Sequence, residues 1–246
     1  MPSPNSAVVR IADAHFAFGS TPILAGFSLT LHAGEITALL GPSGSGKTTL
    51  LRLIAGMETL DAGERTIRVG EGQTPLSYMF QDYDAFPWLT VRRNLELSGE
   101  KRTDVIEDAA RNLGLELLLD RYPRQLSGGQ SKRVALARSV LARPSLLIMD
   151  EPFGSLDVRT KMSIFAHLET MLHDPSRASL FVTHSVTEAV ILADRVILLE
   201  GPPLRIVDDF QVDAPHPRTG SFLESGEFKA IETRVMKRLL ERGGGR

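Results

Sequence analysis

The 246-residue sequence has no cysteine, which excludes a disulfide framework, a thiol nucleophile and a cysteine-based zinc site and fits a reducing compartment. It has no apolar run near the roughly 20 residues that a membrane-spanning helix needs. A membrane role would therefore pass through a partner. The first residues, Met-Pro-Ser-Pro-Asn-Ser-Ala, have neither a basic start nor an apolar core, so no secretory leader is expected. Charge of one sign is also missing. With 28 Lys and Arg against 30 Asp and Glu the formal net charge is −2, and no overall basic field points to nucleic acid. There is one tryptophan and no internal repeat. The expectation is a soluble, cytoplasmic chain of one domain with a subdomain.

What is present centres on Gly41-Pro42-Ser43-Gly44-Ser45-Gly46-Lys47-Thr48-Thr49. The apolar run Ile36–Leu40 before it suits a strand buried on both faces, and Leu50–Ala55 after it suits a helix packed on that strand. Strand, glycine loop and helix form the context that a phosphate loop requires. The glycines let successive amides turn inward on a polyphosphate, and the helix N-terminus adds partial positive charge beneath the anion. Lys47 would reach the β- and γ-phosphates, and the Thr48 hydroxyl would ligate Mg²⁺.

Elsewhere the pattern reads as an α/β protein. Val8–Ile11 and Phe27–Leu31 alternate like half-buried strands, and Thr66–Val69 and Leu76–Phe80 are short strand candidates. Phe18 could stack on a purine or cover a sheet edge. Gln81 stands at the end of an apolar run, where an open α/β sheet presents ligand-binding residues. Helical patterns at Val91–Leu97, Thr103–Leu113 and Gly129–Leu141 read as an inserted helical subdomain at about 82–143. Phe86-Pro87-Trp88 inside it could anchor a partner or form the subdomain's own core. Leu126-Ser127-Gly128-Gly129-Gln130 precedes the last of these helices, with Ser127 a plausible cap.

A buried-strand pattern, Ser145–Met149, ends in Asp150-Glu151, two carboxylates that are costly there unless they have work to do. Asp150 fits a direct or outer Mg²⁺ partner. Glu151 could orient and deprotonate a water that attacks the γ-phosphate. Asp157 caps a helix running to about Leu172. Ser179–Thr183 is another buried strand, with His184 at its end. Val196–Leu199 and Leu204–Val207 complete the sheet as a hairpin. Beyond position 210 an extended linker, 213–218, leads to one or two amphipathic helices within 222–240.

Together these motifs resemble the ATP-binding-cassette ATPases: the loop at 41–48, Gln81, 126–130, 146–151, 155–157 and His184, in that order. The resemblance covers about residues 8 to 210 and implies a phosphate-loop NTPase (RecA-like) core with a mixed sheet, an N-terminal antiparallel β part and the helical insertion. It implies ATP and Mg²⁺ as ligands, with Thr48, Gln81 and Asp150 around the metal and Phe18 on the adenine. It implies that two copies pair head to tail, so that Ser127, Gly128, Gly129 and Gln130 of one chain meet ATP held by the other's Walker A loop. Asp157 would lie in the loop crossing that interface and His184 at the γ-phosphate switch. An integral membrane permease would dock near Phe86–Trp88 on the cytoplasmic face of the inner membrane, fed by a solute-binding protein. The stretch from Met79 to Asn94, with Pro217-Arg218, resembles importers of the nitrate, sulfonate and taurine type. Ser131 departs from the pattern, which usually has a longer polar or basic residue there.

Other classes share less with the chain. Soluble cassette ATPases acting on nucleic acid usually carry two cassettes or a long coiled-coil insertion, and neither is present. An exporter or lipoprotein-release ATPase is opposed only by 82–91 and the tail. A GTPase would need an Asn-Lys-x-Asp guanine reader, which the sequence lacks.

Overall fold

A computed structural model describes residues 6–70, 73–81, 85–154, 156–218 and 221–240. Ser155, the loop residues 82–84 and the terminal glycine run 243–245 lie outside them.

Two sheets enclose one helix. The first is antiparallel: β1 (Ala7–Phe18) pairs on one side with β2 (Thr21–His32) and on the other with the edge strand β4 (Ala62–Ile67). β1 and β2 run well beyond the expected segments, because ladder pairing continues through polar residues that break the alternation. β4 likewise precedes its expected span, since none of its residues is buried and its sequence carries no apolar signal.

The second sheet has the order β5-β6-β7-β3-β8-β9. Its strands are β3 (Ile36–Leu40), β5 (Thr74–Met79), β6 (Pro144–Asp150), β7 (Ala178–Val182), β8 (Arg195–Glu200) and β9 (Arg205–Gln211). All pair in parallel except the β8–β9 hairpin. Every residue of β3, β6 and β7 is buried, as expected of central parallel strands covered on both faces.

Helix α1 (Lys47–Ala55) lies between the sheets. Leu50, Leu51, Leu53 and Ile54 join Val9 and Ile11 of the first sheet and Leu146 and Ile148 of the second in one core. This apolar filling fixes the direction in which the helix N-terminus points. The helical insertion, α2 (Val91–Glu96), α3 (Thr103–Asn112) and α4 (Gly128–Leu141), shares a second core with the opposite face of the parallel sheet. α5 (Val158–Leu172) follows β6, and α6 (Val186–Leu192) follows β7. α6 has no counterpart in the sequence reading. Its run Ala189–Leu192 is buried without a polar face, so no 3.6-residue period reveals it.

The tail differs from a free linker. Residues 212–218 form no regular element but are strapped to the body, with Arg218 only 4 % exposed. Its guanidinium donates to the carbonyls of Val190, Ala193, Val212 and Ala214, covering acceptors left open at the end of α6. A short 3-10 turn, Phe222–Glu224, and a longer helix, α7 (Gly226–Leu240), follow, and α7 buries Phe228 and Val235 in the shared core. Among the described residues no helix is long and apolar enough to cross a membrane.

Candidate nucleotide site

The phosphate loop leaves the C-terminal end of β3 and runs directly into α1. Gly46 stands at the helix cap with φ 107°, a region closed to most side chains, and a Cβ there would sit 2.9 Å from Ile23 Cγ2. A Cβ on Gly41 would sit 2.4 Å from the Leu199 carbonyl oxygen. Both glycines are therefore needed to seat the loop between β2 and β8. The Lys47 ammonium donates to Gly41 O at 2.9 Å and Pro42 O at 2.6 Å. Burial lowers its pKa, while the nearby charges of Glu151 and Asp150 act the other way. Pro42, Ser43, Gly44 and Thr48 are exposed, Ser45 is buried and Thr49 half-buried. The packing of Ile23 on Gly46 brings the β1–β2 hairpin to the loop. At the hairpin's end Phe18 is 53 % exposed and meets Phe16 edge-on at 4.9 Å, so its ring is open to stack on a flat ligand.

Three more strand ends bring their groups to the same edge. Asp150 ends β6 and is buried. Burial raises its carboxyl pKa, opposed chiefly by a hydrogen bond from the Thr48 side chain. Its Oδ1 is buried without a hydrogen-bond partner. A buried carboxylate oxygen beside a threonine hydroxyl suits a hard divalent cation, so the residues present fit Mg²⁺. Glu151 follows with φ 49°, an uncommon conformation for a non-glycine residue and one associated with functional sites. Its amide donates to Val182 O at 3.1 Å. In this turn the carboxylate accepts from Gln81 Nε2 at 3.3 Å and lies 2.8 Å from His184 Nε2. Gln81 follows the end of β5, and His184 follows that of β7. The sequence pattern puts both at strand ends, and the structure brings both onto one carboxylate.

The sequence does not reveal what anchors the turn that carries His184. Thr183 Oγ1 donates to Glu188, and the Ser185 amide donates to Thr183 Oγ1 at 3.1 Å. Ser185 Oγ caps α6 by accepting from the Glu188 amide. Lys161, on α5 one turn beyond its Asp157 cap, closes the network with a 2.6 Å ion pair to Glu188. Glu151, Gly154, Lys161, Thr183, His184, Ser185 and Glu188 together line a cavity of about 270 Å³. The signal was present as a Ser-x-x-Glu capping pattern at 185–188.

The pentapeptide at 126–130 lies on the helical insertion. Ser127 caps α4 by accepting from the Gln130 amide at 3.2 Å, and Gln130 Oε1 accepts from the Ser127 amide at 2.8 Å. Gln130 is thus occupied in the cap, whereas Ser127 keeps its own hydroxyl proton to donate. Ser127 and Gly128 are exposed, and a Cβ on Gly128 would meet nothing within 4 Å. Ser131, the departure from the pattern, is buried, with its Oγ accepting from the Ala85 amide at 3.3 Å. A long side chain would not fit there. Asp157 is exposed and caps α5 through the Thr160 amide at 3.0 Å.

Beside Ala85 the aromatic loop is shaped by buried Asn94. Its Oδ1 accepts from the Phe86 amide at 2.7 Å, and its amide group donates to Phe86 O, Leu89 O and Thr90 O. Arg138 lies over the Phe86 ring at 4.6 Å. Phe86 is half-buried by this, and Trp88 is left 70 % exposed. Of the two alternatives from the sequence, Phe86 is half-buried against Arg138 without joining the subdomain's core, and Trp88 faces out.

A phosphate loop on a parallel sheet, with an acidic pair and a histidine at neighbouring strand ends, defines a nucleotide-binding phosphate-loop protein. Residues 24–154 match the ABC transporter family. The aliphatic sulfonates import ATP-binding protein SsuB of Burkholderia ambifaria is 40% identical over 99% of this chain and 75% of its own length. SsuB 1 of Paracoccus denitrificans is 40% identical over 96% of this chain and 94% of its own. A dimeric ATP-binding cassette solved in a post-hydrolysis state with ADP and Pi has a TM-score of 0.70. It is 24% identical and covers 84% of this chain and 100% of its own. The chain belongs to the ABC transporter family and is one of its ATP-binding cassettes.

Proposed function

We propose that this chain is the ATP-hydrolysing subunit of an import system for aliphatic sulfonates or a similar small organic anion. It works as a head-to-tail pair on the cytoplasmic side of a separate membrane permease, to which a solute-binding protein delivers cargo. The observation that carries the reading is Glu151, held by Gln81 and His184 beside the phosphate loop. The type of cargo rests on the two similar sulfonate import proteins.

In this reading Lys47 and the loop amides bind the β- and γ-phosphates, and Phe18 stacks on the adenine. Thr48, Gln81 and Asp150 hold Mg²⁺, which when bound neutralises charge on the phosphates. Glu151 takes a proton from a water whose oxygen attacks the γ-phosphorus, and the bond to the bridging oxygen breaks as ADP leaves. His184 fixes the carboxylate and senses the γ-phosphate. Ser127, Gly128 and Gly129 of the partner cover that phosphate, aligned by their helix cap, while Gln130 keeps the cap in shape and Asp157 lines the crossing. The exposure of Ser127 and Gly128 supports this, and a Cβ on Gly128 would meet nothing within 4 Å. Trp88 offers the permease an anchor of the size that often dominates an interface.

The test is purification of the intact chain from gently solubilised membranes. A polytopic membrane protein in near-equal amount, and ATP-dependent sulfonate uptake by vesicles containing the pair, is the expected result. Ribosomes or nucleic acid in its place would overturn the transport reading.

A further inference from the structure

At the opposite end of the sheet from the phosphate loop, four titratable side chains from three parts of the chain converge. Glu169 is in the last turn of α5 and His173 is that helix's cap. His216 comes from the strapped tail, and Asp194 precedes β8. Glu169 is 5 % exposed, and the His173 and His216 rings meet edge-on at 4.6 Å. One ligand atom from each of Glu169, His173 and His216 lies within 4.8 Å of the others.

Three polar atoms here lack a hydrogen bond among the described residues. Glu169 Oε2, His173 Nε2 and His216 Nδ1 are buried without a hydrogen bond. His216 Nε2 is 3.1 Å from Asp194 Oδ1, a contact that calls for a proton on Nε2. In the neutral ring that leaves the Nδ1 lone pair 2.8 Å from Glu169 Oε1. Two lone pairs at that distance repel unless a cation stands between or beside them. Asp194 is fixed in turn by the Ile36 amide, which donates to its Oδ2 at 2.8 Å. A carboxylate that orients a histidine through its far nitrogen is the usual outer support of a metal ligand.

We propose that Glu169, His173 and His216 form a Zn²⁺ site that staples the C-terminal tail to the end of α5. Two imidazole nitrogens and a carboxylate oxygen match the ligand preference of zinc, with a fourth position left for water. Asp194 is the positioning residue. The site begins at the Ile36 end of β3, about 16 Å of extended strand from the loop that follows Leu40. Metal would thus set how firmly 212–218 and α7 are held, and not the chemistry at Glu151. The proposal does not depend on which solute is imported.

The experiment is Zn²⁺ competition against a chromophoric chelator with the untagged full-length protein, followed by Co²⁺ absorption spectroscopy. One Zn²⁺ per chain at micromolar affinity or tighter is expected, with a Co²⁺ spectrum of low-coordinate type. His173→Ala and His216→Ala should each weaken binding at least 100-fold, and Asp194→Asn by about 10–100-fold. Binding of a fluorescent ATP analogue should be unchanged in all three, which also shows that they fold. His173→Gln serves as a second variant should the alanine form be unstable. No binding at tens of micromolar Zn²⁺, or binding that survives His173→Ala unchanged, would overturn the site. Stabilisation of the tail by acid alone, without Zn²⁺ binding, would also overturn it and assign the cluster to a protonated His216.

Discussion

His184 Nε2 lies 2.8 Å from Glu151 Oε1, across a gap that the sequence leaves 33 residues wide. The contact joins the end of one parallel strand to the end of its neighbour, so it depends on the register of β6 against β7, where Asp150 pairs with Val182. The positive φ of Glu151 then turns the carboxylate out of line with the strand.

The network behind His184 makes Lys161 and Glu188 positioning residues. Glu188 is buried and Lys161 mostly so. Lys161→Met should cost about 1–3 kcal/mol of stability by leaving Glu188 charged and unpaired. It should also lower kcat for ATP about tenfold with little change in KM. Steady-state kinetics beside a thermal melt separate the two. A fall in stability with kcat intact would leave the pair a structural one.

Gly128 tests the pentapeptide. Because its added Cβ meets nothing, Gly128→Ala should leave the melting temperature unchanged or raise stability by up to about 1 kcal/mol through helix propensity. In the paired enzyme the same methyl would face the partner's nucleotide, and hydrolysis should fall at least tenfold. Full activity in a variant with an unchanged melt would remove Gly128 from the site.

Trp88 and Asn94 should behave oppositely. Trp88→Ala removes an exposed ring and should alter stability by no more than about 0.5 kcal/mol, with ATP binding intact and ATP-driven uptake reduced. Asn94→Ala should cost at least about 2 kcal/mol, because it strips several buried backbone groups of their partner. Uptake assays with purified permease and thermal melts decide both.

The attachment of α7 should weaken in acid. Arg234 donates to Asp208 at 2.8 Å and 3.0 Å, and this holds the Asp208 carboxyl below the usual carboxylate range. A depressed folded-state pKa contributes stability above the unfolded value that is lost as pH falls through the folded one. The pair is partly exposed, so the contribution is about 1 kcal/mol or less. The stability difference between wild type and Asp208→Asn should be present at pH 7 and close below about pH 4.

Much of the site was legible because its residues sit where local pattern is strongest. The loop from Gly41 to Thr48 lies between an apolar strand and an apolar helix, and Asp150 and His184 interrupt buried runs where a charge stands out. The long hairpin β1–β2 and the edge strand β4 were only partly visible, since antiparallel pairing sustains strands that carry little alternation. α6 was hidden because its faces are almost all apolar. The strapping of the tail was illegible for another reason. Arg218 reads as a surface charge until the carbonyls of Val190 and Ala193 are brought beside it. His216 reads as a linker residue until α5 supplies Glu169 and His173. These are contacts across long separations, and no local period encodes them.

The most direct measurement of the central claim uses Glu151→Gln with ATP, following molecular mass by light scattering and phosphate release in parallel. A doubled mass with ATP but not with ADP is expected, with hydrolysis slowed at least about 100-fold, as for loss of a general base. Turnover at the wild-type rate, or a mass that stays monomeric with ATP, would contradict it.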